Sequence, residues 1–173
     1  MRKVIHLICG PSGAGKTTFA RRVADKHKAI RFSEDEWLCK LFVPDAPEDL
    51  LEEPMHIISA WASEKYQRCR DQIWLVCQQL LKEGISVVLD GAAANKKQRD
   101  LIRKKASDNN VGFQLYYITS PYETRKKRVI ERNINQGDTY SLEVTPDMFA
   151  HIESFFEPPE DEELTGIITI EEK

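Results

Sequence analysis

Residues 3–17 read KVIHLICGPSGAGKT, and this stretch decides the fold. The apolar run from Lys3 to Gly10 has the composition of a buried strand and feeds without a break into GxxxxGKT at residues 10–17. In a loop of this kind the glycines let backbone N–H groups turn inward around phosphate oxygens. The lysine reaches the β- and γ-phosphates and the hydroxyl residue faces Mg²⁺. Gly10, Pro11, Ser12, Gly13, Ala14, Gly15, Lys16, Thr17 and Thr18 therefore read as a nucleotide cradle, with Lys16 also a catalytic charge and Thr17 a metal ligand. Beyond Lys16 the run TTFARRVADKHK sets Phe19, Ala20, Val23 and Ala24 at a helical period. A helix starting there turns its positive dipole end toward phosphate. An ordinary Gly-rich turn requires neither the strand before it nor the helix after it.

The rest of the chain bounds what such a loop can belong to. At 173 residues, 41% hydrophobic and 31% charged, it has the size and balance of one soluble globular domain spanning 1–173. A net charge of −3 argues against a general nucleic-acid binder while leaving a polynucleotide end open as a substrate. No apolar run approaches the roughly 18 residues that cross a bilayer. Cleavage behind the first apolar run would remove the loop's own strand, so MRKVIHLICG is read as strand and not as a signal peptide, and the protein as cytoplasmic with no membrane partner. Cys9, Cys39, Cys69 and Cys77 form no CxxC pair and the histidines are scattered, which speaks against a zinc site or a disulfide framework. Cys9, Cys69 and Cys77 read as core.

Strand and helix patterns alternate along the chain. AIRFS (residues 29–33) reads as a second strand ending at Glu34, Asp35 and Glu36, and Val43 to Pro54 as a loop rich in proline and acids. From Met55 to Glu83, apolar residues at steps of three or four predict one long amphipathic helix stopped by Gly84. ISVVL (85–89) reads as a buried strand ending in Asp90, followed by a basic helix from about Asn95, a plausible cap, to Asp108. FQLYYIT (113–119) is the fourth strand, Pro121 opens a helix, residues 133–140 form a loop, residues 145–156 a short helix, and GIITI (166–170) the last strand. The alternation predicts a three-layer α/β/α P-loop NTPase fold with a parallel sheet of about five strands.

Phosphoryl transfer needs a base, a metal partner and cations, and each has candidates. Asp35 follows the second strand, where a carboxylate can take the proton of an attacking hydroxyl; the same position also suits a helix cap. Asp90 ends a VVL run and reads as a metal-holding carboxylate, with a turn-forming Asp as the plain alternative. Arg125, Arg128 and Arg132 share one helical face and can grip phosphate through planar forks, Arg125 and Arg128 acting on the transferring group and Arg128 and Arg132 on the nucleotide. The competing reading is a solvated face. Arg99 and Trp37 are candidates for substrate contact, the first on an otherwise solvated basic helix, the second balanced against core packing.

With these residues assembled, the chain resembles the small P-loop kinases that include the kinase domain of phage-type polynucleotide kinase, the chloramphenicol phosphotransferases and the zeta toxins. GPSGAGKTT, FSEDEWL, VVLDGAAANKKQR and TSPYETRKKRVIERN carry the likeness, and TPDMFAHIESFFEPPEDEE is similar to the family's closing segment. The resemblance implies an adenylate-kinase-like fold with an arginine-bearing lid helix, and a metal-dependent transfer of the ATP γ-phosphate to a hydroxyl. It implies Asp35 as base and lid arginines on the ATP phosphates and the adenine side. The chain departs from the family at Ala92, Ala93 and Ala94, where many members carry Thr and an apolar residue after Asp-Gly. The expected activity is therefore an ATP- and Mg²⁺-dependent phosphotransferase acting on a small polar molecule or a polynucleotide end. Its rival is a nucleotide-dependent switch or ATPase module without a hydroxyl substrate. No NKxD occurs to support GTP.

Overall fold

The apolar run before the loop forms β1 (Val4–Cys9), the middle strand of a five-stranded parallel sheet in the computed structural model, which describes residues 3–91, 93–137, 140 and 143–172. Its partners are β2 (Ile30–Ser33), β3 (Val87–Asp90), β4 (Gly112–Thr119) and β5 (Ile168–Glu171), in the order β2-β3-β1-β4-β5. Register aligns apolar rows across the sheet: Ile5 lies opposite Val87 and Phe113, and Leu7 opposite Leu89 and Leu115.

Alternation along β1 feeds two cores. Ile5, Leu7 and Cys9 join Val87, Leu89 and Leu115 beneath α3 (Met55–Lys82) and α4 (Lys96–Asp108), which contribute Cys69, Ile73, Cys77, Ile102 and Ala106. Ile8, Val88, Tyr116 and Ile118 face the other way, onto Ala20 and Val23 of α1 (Lys16–His27). Each aliphatic side chain buried this fully stabilises the fold by about 1.5–3 kcal/mol. The cysteines behave as small apolar residues: burial pushes the Cys9 and Cys77 thiols up to about 12.

Helix ends follow local chemistry. The Asn95 side chain accepts from the Gln98 backbone N–H at 3.0 Å, as its sequence position predicts, and Thr145 accepts from Met148 to open α6 (Pro146–Ser154). Ser33 accepts from Glu36 N–H and caps α2 (Glu34–Leu41), so Asp35 is a first-turn residue and not the cap. α5 (Tyr122–Asn135) runs into the segment read as loop from 133. The third strand starts two residues later than the sequence suggested. Gly84, at φ 80°, turns the chain at the end of α3, and Ile85 N–H donates back to Leu80, which uses Ile85 in the helix terminus. The carboxyl ends of β1, β2 and β3 then open on one crevice.

Candidate functional site

The loop after β1 is shaped by close packing. Gly10 has φ 152°, and a Cβ there would fall 2.1 Å from the Ile118 carbonyl oxygen; Gly13, at φ 74°, would place one 2.5 Å from the Arg125 carbonyl oxygen. The loop is thus wedged between β4 and α5, where no side chain fits. Gly15 precedes α1 in a left-handed conformation without a side-chain cap, so the first N–H groups of α1 keep their capacity for an anion. Lys16 Nζ donates to Pro11 O at 2.9 Å, closing the loop on itself. Removal from water pulls the Lys16 pKa below the usual lysine range, while Asp35 and Asp90 oppose that shift.

Those three groups line a cleft of about 600 Å³ together with Thr17, Thr18, Glu34, Tyr66, Arg70, Arg128 and Arg132. Asp90 ends β3 almost fully buried. Desolvation raises its pKa, and Lys16, Arg31 and the Thr17 hydroxyl counter the effect. Arg31 Nη1 donates to Asp90 Oδ2 at 3.0 Å from β2. Asp35 accepts a hydrogen bond from Tyr66 at 2.7 Å, and burial, aided by Asp35, lifts the Tyr66 hydroxyl well above the ordinary tyrosine range. Tyr66 therefore stays a proton donor, which fixes one oxygen of Asp35 and leaves the other for a ligand. Glu34 and Glu36 are engaged elsewhere, Glu34 with Arg70 at 3.0 Å and Glu36 with Arg31.

The three arginines of α5 share a face but not a role. Arg128 and Arg132 line the cleft, and Arg132 Nε is buried with no hydrogen-bond partner among the described residues. A buried donor left unsatisfied costs about 1–3 kcal/mol, which an anionic ligand would relieve. Arg125 corrects the sequence reading. It is 7% exposed, and its guanidinium donates to Ser120 O at 3.0 Å, Ser12 O at 3.1 Å and Glu153 Oε1 at 2.7 Å. With Nε and Nη1 spent on these groups behind the loop, it braces the cradle against α6 and does not line the cleft.

Two substrate candidates are also corrected. Arg99 is 0% exposed; Nε and Nη2 make a bidentate pair with Glu163 at 2.7 and 2.8 Å, and Nη1 donates to Ala93 O and Glu157 O. Its donors are consumed in tying the 157–163 segment to the loop after β3. Trp37 packs on the core beside Phe32, edge to face at 6.2 Å, and does not line the cleft. The ordinary core alternative for Trp37 is the one realised.

Sequence reasoning missed Arg70 as a cleft residue, read Tyr66 only as packing, and did not single out Arg31 or Phe156. A signal for the first two exists. Tyr66 and Arg70 are four residues apart on α3, next to its Cys69 and Ile73 stripe, and a cation beside an apolar stripe needs a buried partner. Ala93 and Ala94 line the cleft with small side chains, and Ala92 lies outside the described residues.

A family model described as an AAA domain matches residues 5–159. No curated protein matches the chain. Among solved structures, a protein from Chloroflexus aurantiacus J-10-fl superposes with a TM-score of 0.75 at 12% identity, over 99% of this chain and 89% of that one. An unliganded sugar kinase from Janibacter sp. HTCC2649 does so with 0.62 at 17%, over 99% and 86%. Chaetomium thermophilum Kti12, in complex with ADP-AlF3, gives 0.66 at 13%, over 96% and 88%. At these identities the likeness is one of fold, a three-layer α/β/α arrangement around a P-loop.

Proposed function

The chain belongs to the AAA domain family and has the fold of the small P-loop kinases, and from that we propose a phosphotransferase that moves the γ-phosphate of ATP, with Mg²⁺, to a hydroxyl of an acceptor. The observation that carries the reading is Asp35. A carboxylate oriented by Tyr66 shares one cleft with the P-loop lysine and the β3 carboxylate, as an acid–base group beside a phosphate cradle requires. A water-driven ATPase also orients its nucleophile, so the two readings separate on whether a hydroxyl acceptor is phosphorylated.

The cradle suits a nucleotide: Gly10 and Gly13 admit no Cβ, the first N–H groups of α1 carry no side-chain cap, and the orphaned Arg132 Nε adds a cationic donor. Thr17 and Asp90 would hold Mg²⁺ directly or through water. A Mg²⁺ ion carried by ATP needs only one or two protein groups beside phosphate oxygens. When bound, that ion supplies charge neutralisation at the phosphates.

Asp35 accepts the proton of the acceptor hydroxyl as the new O–P bond forms and the bond from the γ-phosphorus to the bridging oxygen breaks, with ADP leaving. Lys16, Arg128 and Arg132 offset the charge that spreads over the transferring group. No described helix is long and apolar enough to cross a membrane. The test is Asp35→Asn, which keeps the Tyr66 hydrogen bond and loses the proton acceptor. Transfer should fall by roughly 10² to 10⁴ with ATP affinity nearly unchanged. Loss of ATP binding in step with turnover would instead give Asp35 a structural or metal role.

A further inference from the structure

The acceptor end of the cleft has a charge arrangement that selects among hydroxyl compounds. We propose that the buried Glu34–Arg70 pair makes the acceptor an uncharged polyol and excludes acceptors carrying phosphate or carboxylate groups. The inference rests on the phosphotransferase reading of the cleft.

Glu34 is 6% exposed, and Arg70 Nε donates to its carboxylate at 3.0 Å. The pair is held from two sides. The Arg70 guanidinium lies 5.7 Å over the Tyr66 ring, and a Cβ at Gly91 would meet the Glu34 carboxyl carbon at 3.1 Å, so the loop after β3 packs directly on it. The next residue, Asp35, is fixed by Tyr66.

The other cations near the cleft are either paired or assigned to the nucleotide. Lys16 donates to the loop carbonyl of Pro11, Arg31 is paired with Asp90 and Glu36, and Arg128 and Arg132, which line the same cleft, serve the ATP phosphates on the phosphotransferase reading. Among the described residues the carboxylates of Glu34 and Asp35 line the acceptor end with the Arg70 guanidinium, whose charge Glu34 already offsets. An anionic group entering there would lose its water beside Asp35 while the Arg70 guanidinium is already offset by Glu34, and like charges at close range oppose binding.

Hydroxyl groups meet the opposite situation. They donate to the two carboxylates and accept from the terminal nitrogens of Arg70, which uses only Nε on Glu34. Ala93, Ala94 and Phe156 supply apolar wall for the C–H face of a carbon skeleton. A protonated amine is also disfavoured as the acceptor's reacting partner, because pairing with Asp35 would occupy the base.

The experiment measures kcat/KM for the wild-type protein, with ATP and Mg²⁺ and mass-detected product, across matched sets. One set is glucose, gluconate, glucose 6-phosphate and glucosamine; another is adenosine, adenosine 3′-monophosphate and a 5′-hydroxyl oligonucleotide. The expected result is that the uncharged member of a set exceeds its anionic and cationic analogues by at least tenfold. A tenfold preference for a charged member overturns the inference and leaves the kinase reading standing. Product from no acceptor, with ATP bound normally, overturns both. Glu34→Gln releases the charge of Arg70, and the anionic member should gain at least tenfold relative to its uncharged partner. Equal losses for both members in a variant that melts and binds ATP like the wild type would make the pair merely structural and refute its role in selection.

Discussion

Replacing Arg99 by Ala removes a cation that is 0% exposed and does not itself line the cleft. Arg99 makes two charge-assisted bonds to Glu163 and donates to three backbone carbonyls, of Ala93, Glu157 and Pro158. The carboxylate left behind is itself 2% exposed. Breaking one side of a buried pair costs about 3–5 kcal/mol, because the surviving charge stays desolvated. For a domain of about 150–250 residues each kcal/mol lowers Tm by about 2–4 °C, so the variant should melt roughly 6–20 °C lower. Hydrogen bonds from Arg99 hold the Glu163 carboxyl below the usual glutamate range. In the variant the carboxyl can protonate at acid pH, and the deficit should narrow as pH falls through that range. Removing both charges as Arg99→Leu/Glu163→Leu should cost less than Arg99→Ala alone. Thermal melts by circular dichroism at pH 7.5 and 5, beside acceptor kinetics at a temperature where both proteins are folded, decide the matter. An unchanged Tm with a tenfold rise in acceptor KM would refute the buried-brace argument and restore Arg99 as a substrate contact.

His6 and the lid arginines give two further tests. Burial, reinforced by the neighbouring His27, lowers the His6 pKa from 6.5 to about 4, so stability is fully present above pH 6.5 and falls as pH drops toward 4, by at most about 3 kcal/mol. Urea melts of His6→Gln should show a flatter dependence between pH 6.5 and 4.5 than the wild type, and an identical slope would assign the acid limb to other groups. Arg132→Ala, which deletes the orphaned cleft donor, should weaken ATP binding by about tenfold with little change in Tm, whereas Arg125→Ala should lower Tm by several degrees. Calorimetric titration and melting of the two variants side by side would expose the distinction as false if they behaved alike.

The layers of the fold were legible because each rests on short-range pattern. A continuous apolar strand, a phosphate loop whose Gly10 and Gly13 admit no Cβ, and a 3.6-residue stripe across Met55 to Lys82 are all written within a few residues of themselves. Where the reading slipped, a terminus was in competition. Ile85 is as good a strand residue as Val87, but the left-handed Gly84 returns its N–H to Leu80 and removes it from the sheet. Ser33 and Asp35 are both able caps, and only the position of the chain entering α2 settles that Ser33 takes the N–H.

The site was half legible for a reason that concerns partners and not positions. Helical spacing puts Arg125, Arg128 and Arg132 on one face, yet it carries no information on depth, and depth decides whether an arginine meets a ligand or a carboxylate of its own chain. Arg125 finds Glu153 28 residues away and Arg99 finds Glu163 64 residues away, so both are neutralised by groups no local pattern connects to them. Arg70 meets Glu34 across 36 residues, and here pairing leaves the guanidinium at the cleft wall. A buried arginine is therefore a ligand contact only where its acidic partner leaves donors over. Glu163 and three carbonyls leave Arg99 with none to offer, Glu34 takes one donor from Arg70, and Arg132 keeps a buried Nε without a partner among the described residues. The order of ligand availability, Arg132 before Arg70 before Arg99, follows from that count of spent donors and runs opposite to the weight that sequence position alone gave Arg99 over Arg70.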